Sequence, residues 1–241
     1  MNIIFLSHGS RNRDNNVDFK NLISMINVEP IDKLYTISFT YLSFAEPSFK
    51  KTLMKLSKKN DKILVIPLFL FNATHVKNDI PEIIGQCKLQ NPSAKIELYK
   101  IDGIFYQCMV NYINNKYIEK NNRYTLIIVG RGSSDSDSVK YFNQFIHNLN
   151  FDNSIEKVYT AFCNISEPTV YDIFNTASAK GAKKIIVFPF ILFKGKLYND
   201  IKDSMTRFLE INSQVEIELL SPIAYKANLP NLIKEELVKL A

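Results

Sequence analysis

The sequence predicts an α/β protein of two tandem, similar Rossmann-like domains, each a four-stranded parallel sheet flanked by helices. Three observations carry this. The 241 residues repeat themselves, block by block and in one order. Short, nearly continuous apolar runs alternate with amphipathic helical patterns. Of only seven glycines, two stand in matching contexts just after the first apolar run of each copy.

The repeat comes first, because it sets the architecture. Ile3-Ile4-Phe5-Leu6-Ser7-His8-Gly9-Ser10 pairs with Leu126-Ile127-Ile128-Val129-Gly130-Arg131-Gly132-Ser133. Phe44-Ala45-Glu46-Pro47-Ser48 pairs with Ile165-Ser166-Glu167-Pro168-Thr169. Lys62–Phe71 pairs with Lys184–Phe193, and Asn78-Asp79-Ile80 with Asn199-Asp200-Ile201. The offset is nearly constant at half the chain. The expected domains are residues 1–121, carrying the site, and 122–241, a diverged copy.

Within the first copy Ile3–Ser7, Leu34–Leu42, Ile63–Phe71 and Ile96–Ile101 read as strands buried on both faces. Phe19, Leu22, Ile23 and Ile26 fall at helical spacing, as do Phe142, Phe145, Ile146 and Leu149 in the second copy. Ala45-Glu46-Pro47 and Ser166-Glu167-Pro168 read as helix starts, since acidic residues and proline suit a first turn. Strand–helix alternation implies right-handed crossovers and parallel sheets. As strand ends, Phe44, Leu70, Phe71 and Phe193 are expected mainly in the core.

Composition narrows the function. The chain carries a net charge of +6, with lysines scattered over helix faces and no concentrated basic patch interleaved with aromatics, so nucleic acid is not expected as a partner. No apolar run approaches the ~20 residues of a membrane span, and nothing at the start reads as a signal peptide. Three cysteines lie far apart without a C-x-x-C pair, which argues against a disulfide framework, a zinc knuckle or an iron–sulfur site and favours the cytoplasm.

Ligands of open parallel sheets bind beyond the carboxyl ends of the strands. Two of the three histidines fall there: His8 past the first strand and His75 past the third. His147 falls on the polar side of its helix and is expected in solvent. Two neutral imidazoles on one rim suit Fe²⁺, Co²⁺, Ni²⁺ or Zn²⁺, and also serve as proton acceptors. In the second copy Arg131 replaces His8, and the loop Phe193-Lys194-Gly195-Lys196-Leu197-Tyr198 has no histidine. One site is therefore expected, in the first half, with the second half supplying positive charge.

His8-Gly9-Ser10-Arg11, Ala45-Glu46-Pro47-Ser48, and Ile66–Phe71 through His75-Val76-Lys77-Asn78-Asp79-Ile80-Pro81 resemble the sirohydrochlorin chelatases in their duplicated, single-chain form. The resemblance implies a chelatase-like fold and insertion of a divalent metal, Fe²⁺ for siroheme or Co²⁺ for cobalamin, into a tetrapyrrole. It implies that His8 and His75 hold the metal and accept pyrrole protons. The iron-inserting branch often has a glutamate where this chain has Ser43, so Ser43, or Glu46 reaching in, would complete the ligand set. Glu46 reads mainly as a helix cap.

Sirohydrochlorin carries eight carboxylates. Candidates to receive them are Ser10, Arg11, Arg13 and Lys77 in the first half, and Arg131, Ser133, Lys194 and Lys196 in the second. Backbone N–H groups at Gly9-Ser10 and Gly132-Ser133 are further candidates. For Leu70, Phe71, Phe44 and Phe193 the alternative to a place in the core is to cover the macrocycle's faces. No cofactor beyond the substrate metal (Fe²⁺, with Co²⁺ or Ni²⁺ possible) is expected, and the chain is expected to act as a monomer. Imidazole must be neutral to ligate, so activity should fall below about pH 6.5. Two other readings remain at this point: a non-catalytic tetrapyrrole or metal carrier, and a histidine-based phosphotransfer enzyme.

Overall fold

A computed structural model describes residues 1–59, 61–70, 78–118, 123–226 and 228–240. The first apolar run forms β1 (Asn2–Ser7), buried along its whole length at the inside of a sheet. It is followed by α1 (Arg13–Ile26), the short α2 (Ile31–Leu34), β2 (Thr36–Tyr41), α3 (Phe49–Ser57), β3 (Ile63–Pro67), α4 (Ile80–Gln90) and β4 (Ile96–Leu98). The strands pair in parallel in the order β2-β1-β3-β4.

The second copy repeats this. After α5 (Asp102–Tyr117) come β5 (Tyr124–Gly130), α6 (Ser136–His147), β6 (Ile155–Phe162), α7 (Val170–Ala179), β7 (Lys184–Pro189), α8 (Lys196–Leu209) and β8 (Glu216–Leu219). Helix α9 (Asn228–Lys239) closes the chain. The order is β6-β5-β7-β8, again all parallel. The expected fold class therefore holds.

Three details differ from the sequence reading. The strands are shorter, and β2 begins at Thr36 because Ile31–Leu34 makes a helical turn instead. Burial on both faces holds for the inner strands β1 and β3, but β2, β4, β6 and β8 are sheet edges with exposed positions. The Glu-Pro pairs precede their helices rather than opening them. Each has a cis peptide bond, and the helices begin after Ser48 and Thr169.

Side chains alternate across each sheet. In the first, Ile4, Leu6, Ile63, Val65 and Ile96 meet Phe49 and Leu53 of α3 and Ile80, Ile84 and Cys87 of α4. On the opposite face Phe19 of α1 packs edge-on against Phe39 and Tyr41 of β2, which in register lie beside Phe5 and Ser7. The chain leaves β1 toward β2 over one face and leaves β3 toward β4 over the other. The carboxyl ends of β1 and β3 thus form the switch point of the sheet, where α/β proteins bind ligands.

The compact units do not follow the repeat halves. One comprises Met1–Phe105 with Ala227–Ala241, the other Tyr106–Lys226. In the first, α9 buries Leu229, Pro230, Ile233 and Leu237 and packs on α1 and α2. Tyr35 there donates its hydroxyl to the Leu237 carbonyl at 2.9 Å. In the second unit Tyr106 of α5 stacks on Phe145, centroid to centroid 3.9 Å, and on Phe190 at 4.8 Å. Among the described residues no helix is long and apolar enough to cross a membrane. The three cysteines are free thiols.

Lys226 is a costly residue in the second unit. It is only 3% exposed, with Nζ 3.7 Å from the Tyr112 ring centroid. Burial first, then the nearby Lys116 charge, lower its pKa to about 8, against smaller raising effects of Cys108 and Glu218. A depressed lysine pKa penalises the folded state at neutral pH, and the penalty is relieved as pH rises from about 8 through the unfolded value. Lys226→Met should therefore raise stability at pH 7 by about 1–3 kcal/mol. It should also remove the part of the rise above pH 8 that wild type shows, as read by denaturant melts across pH.

Candidate active site

His8 is the first residue beyond β1, and its position follows from two backbone features. Its carbonyl accepts a hydrogen bond from Ser43 N at 2.9 Å, which ties the loop after β1 to the loop after β2. Gly9 then turns with φ +84, and a Cβ there would lie 1.9 Å from the Ser43 carbonyl oxygen. Only glycine permits this approach. The second unit uses the same device: Asn164 N donates to the Arg131 carbonyl at 3.2 Å, and a Cβ on Gly132 (φ +88) would lie 2.0 Å from the Asn164 oxygen.

The His8 ring is half-buried with Nδ1 inside the protein. It meets Phe44 edge-on at 5.5 Å and Phe69 at 6.5 Å. Phe44 in turn lies beneath the Arg11 guanidinium, 5.0 Å from its centroid. Arg11 and Arg13 are exposed, the latter at the start of α1. His75 and Lys77 lie outside the described residues, as does Phe71. Among the described residues no three His, Cys, Asp or Glu side chains gather as a metal-holding group. His147 is exposed, as its helical phase implied.

Ser43 stands beside His8 and is half-buried. Glu46 does not turn toward it. Its carboxylate accepts from Ser48 N at 2.6 Å and from Lys51 Nζ at 3.1 Å, and these bonds hold its pKa below the usual carboxylate range. It caps the entry to α3. In the second unit that task passes to Thr169 and Asp172, which form a reciprocal capping box at α7.

Of the backbone N–H groups expected to take carboxylates, those of Ser10 and Ser133 are already donated within the protein. Ser10 N bonds Asn16 Oδ1 at 3.0 Å, and Ser133 N bonds Ser166 Oγ at 3.0 Å. Ser10 Oγ accepts from Asn12 N, and Ser133 Oγ from Asp135 N, so both serines brace their loops. Asn16 also bonds the Ser10 carbonyl through Nδ2, and its own carbonyl receives the Tyr41 hydroxyl. The loop carrying His8 is thereby fixed at several points.

The rim of the second unit is basic. Arg131 is exposed after β5. Lys194 and Lys196 flank Gly195, the N-cap of α8. The Lys194 amine lies 5.7 Å from the Tyr198 centroid and 5.4 Å from that of Tyr225, and Lys196 pairs with Asp200 at 3.5 Å. Cys163, just before Asn164, is no thiolate: burial, then the Asp200 charge, push its thiol up to about 12.

Phe44 is the main feature that sequence patterning misplaces. It is 57% exposed, with φ +63, and its counterpart Ile165 is 67% exposed with φ +69. Ala45 N donates to the Ser43 carbonyl at 2.8 Å, and Ser166 N to the Asn164 carbonyl at 2.8 Å. Each bond spans two residues and closes a γ-turn of the rare positive-φ kind. Such backbone costs on the order of 1–3 kcal/mol per residue. Hydrophobicity marks Phe44 as core and carries no sign of the turn.

A family model described as CbiX matches residues 2–107 and again 125–240. The chain belongs to the CbiX family and carries the family's unit twice. A sirohydrochlorin ferrochelatase of Priestia megaterium is 25% identical over 241 residues, 97% of this chain and 88% of that protein. A sirohydrochlorin cobaltochelatase of the same organism is 22% identical, covering 97% and 78%. Among solved structures, SirB from Bacillus subtilis with Fe³⁺ superposes with a TM-score of 0.78 at 21% identity, covering 100% of this chain and 95% of that one.

The close approach at Gly9 is directly testable. Gly9→Ala should lower stability by about 3 kcal/mol or more, because both the positive φ and the contact with Ser43 oppose a side chain. Gly181→Ala, whose Cβ would meet nothing within 4 Å although φ is +86, should cost only the backbone part. Thermal melts of the two variants separate these contributions.

Proposed function

We propose that this chain is a sirohydrochlorin chelatase that inserts a divalent metal, Fe²⁺ in preference, into sirohydrochlorin to give siroheme. The observation that carries the reading is His8, an imidazole fixed at the switch point of a CbiX-type sheet beside Ser43. His75 supplies the second imidazole on sequence grounds, since it follows the third apolar run. Ser43 stands next to His8, and with Glu46 held at α3 it is the better-placed candidate for a further oxygen contact, direct or through water.

His8 would offer the metal Nε2, because its Nδ1 is turned into the protein. The reaction joins the metal to the pyrrole nitrogens and releases two protons. The imidazoles hold the incoming ion, shed its water, and pass protons to solvent. The metal is a substrate here, so the site must bind it loosely enough to release it. Arg11, Arg13, Lys77, Arg131, Lys194 and Lys196 supply charge for the substrate carboxylates, with Ser10 and Ser133 acting through their loops. An anionic substrate is drawn by such a field at rates that fall with salt.

Both copies of the family unit lie in one polypeptide, which favours action as a monomer. The free thiols favour a reducing cytoplasm. Cobalt is the second reading, favoured by the similarity to a cobaltochelatase and by the absence of a carboxylate at position 43. Imidazole sites bind Co²⁺ and Ni²⁺ more tightly than Fe²⁺, so all three should be inserted in vitro.

The test is anaerobic metal insertion followed by the absorbance change of sirohydrochlorin. Wild type should exceed the spontaneous rate. His8→Ala and His75→Ala should each lower it about a hundredfold or more, since even groups that only orient a ligand cost about 10–100-fold. Variants as fast as wild type would refute the assignment and leave a carrier role. Arg131→Ala should raise KM for sirohydrochlorin with kcat little changed, and the effect should shrink at high salt.

A further inference from the structure

We propose that Phe44 is a substrate-contact residue, an apolar plate held beside His8 by the γ-turn to pack against the flat face of the macrocycle. The inference rests on the sirohydrochlorin reading and adds to it a residue outside the imidazole and basic groups.

The backbone at Phe44 carries an avoidable cost. A turn that needs positive φ is best filled by glycine or asparagine. Here the position holds phenylalanine at φ +63, and in the second unit a β-branched isoleucine at φ +69, among the least suited residues for such backbone. Burial does not offset the cost, since both side chains are more than half exposed. Strain and exposed apolar surface thus fall on one residue, twice, at the same place on the rim. Strain that the fold could shed by a single change to glycine points to use of the side chain.

The surroundings say what that use is. The Phe44 ring meets the His8 ring edge-on at 5.5 Å and lies 5.0 Å from the Arg11 guanidinium carbon. An apolar ring is therefore held between a metal-ligating imidazole and a cation. A ligand matching that order has a metal-accepting centre, a flat conjugated body and carboxylates at its edge. Phe44 covers the body while Arg11 faces the edge, and the γ-turn keeps the ring from folding back onto the sheet.

The test uses the full chain with Phe44→Gly and Phe44→Leu. Glycine takes the turn without strain, so Phe44→Gly should melt at the wild-type temperature or above it. Co²⁺ binding, followed by its visible absorption, should be unchanged. Affinity for metal-free sirohydrochlorin, followed by fluorescence, should fall about tenfold, and KM should rise in step while kcat stays within about twofold. Phe44→Leu should restore most of the affinity. Unchanged sirohydrochlorin affinity in Phe44→Gly overturns the proposal while leaving the chelatase reading intact. Loss of Co²⁺ binding in that variant also overturns it, since Phe44 would then serve only to position His8. A wild-type chain that neither binds nor metallates sirohydrochlorin removes both.

Discussion

The placement of β1 between β2 and β3 is the constraint on which the rest depends. With one neighbour reached over each face, the carboxyl ends of β1 and β3 form the switch point of the sheet, its ligand-facing rim. His8, Ser43, Phe44 and Arg11 sit on or beside that rim. The close crossing of Gly9 over the Ser43 carbonyl draws the loop after β2 into the same place. The rim is built of backbone before any functional side chain is added, which is how the second unit keeps it without histidine.

Comparison of the two rims shows what the scaffold leaves open. Gly9 and Gly132, the tie from position 43 or 164, the γ-turn and the exposed apolar residue recur in both. The imidazole at position 8 becomes the guanidinium at 131, and lysines gather at the start of α8. Geometry is shared while the side chains differ, an imidazole on one rim and cations on the other. Most of the 30 lysines and arginines are scattered along the chain, and the rim cations are a minority of them.

The sheets and the place of His8 were legible in the sequence because each rests on local signals. An apolar run followed by His-Gly-Ser marks a strand end and a turn, and four blocks in one order mark a duplication. What was not legible depends on partners distant in sequence. Nothing local in the sequence shows that α9, with Leu229, Ile233 and Leu237 buried, packs on α1. The apolar run around β2 hides that this strand is an edge. Ser10 N and Ser133 N look like open donors until Asn16 and Ser166 are placed. Phe44 looks like core, because hydropathy cannot report a γ-turn.

The most direct measurement is a crystal structure of the protein soaked with Co²⁺, without tetrapyrrole. The account predicts an ion bound by an imidazole nitrogen of His8 at about 2.1 Å, with Ser43 beside it and the Phe44 ring at its edge. An ion bound elsewhere, at His147 or on the rim that carries Arg131, with His8 untouched, would contradict it.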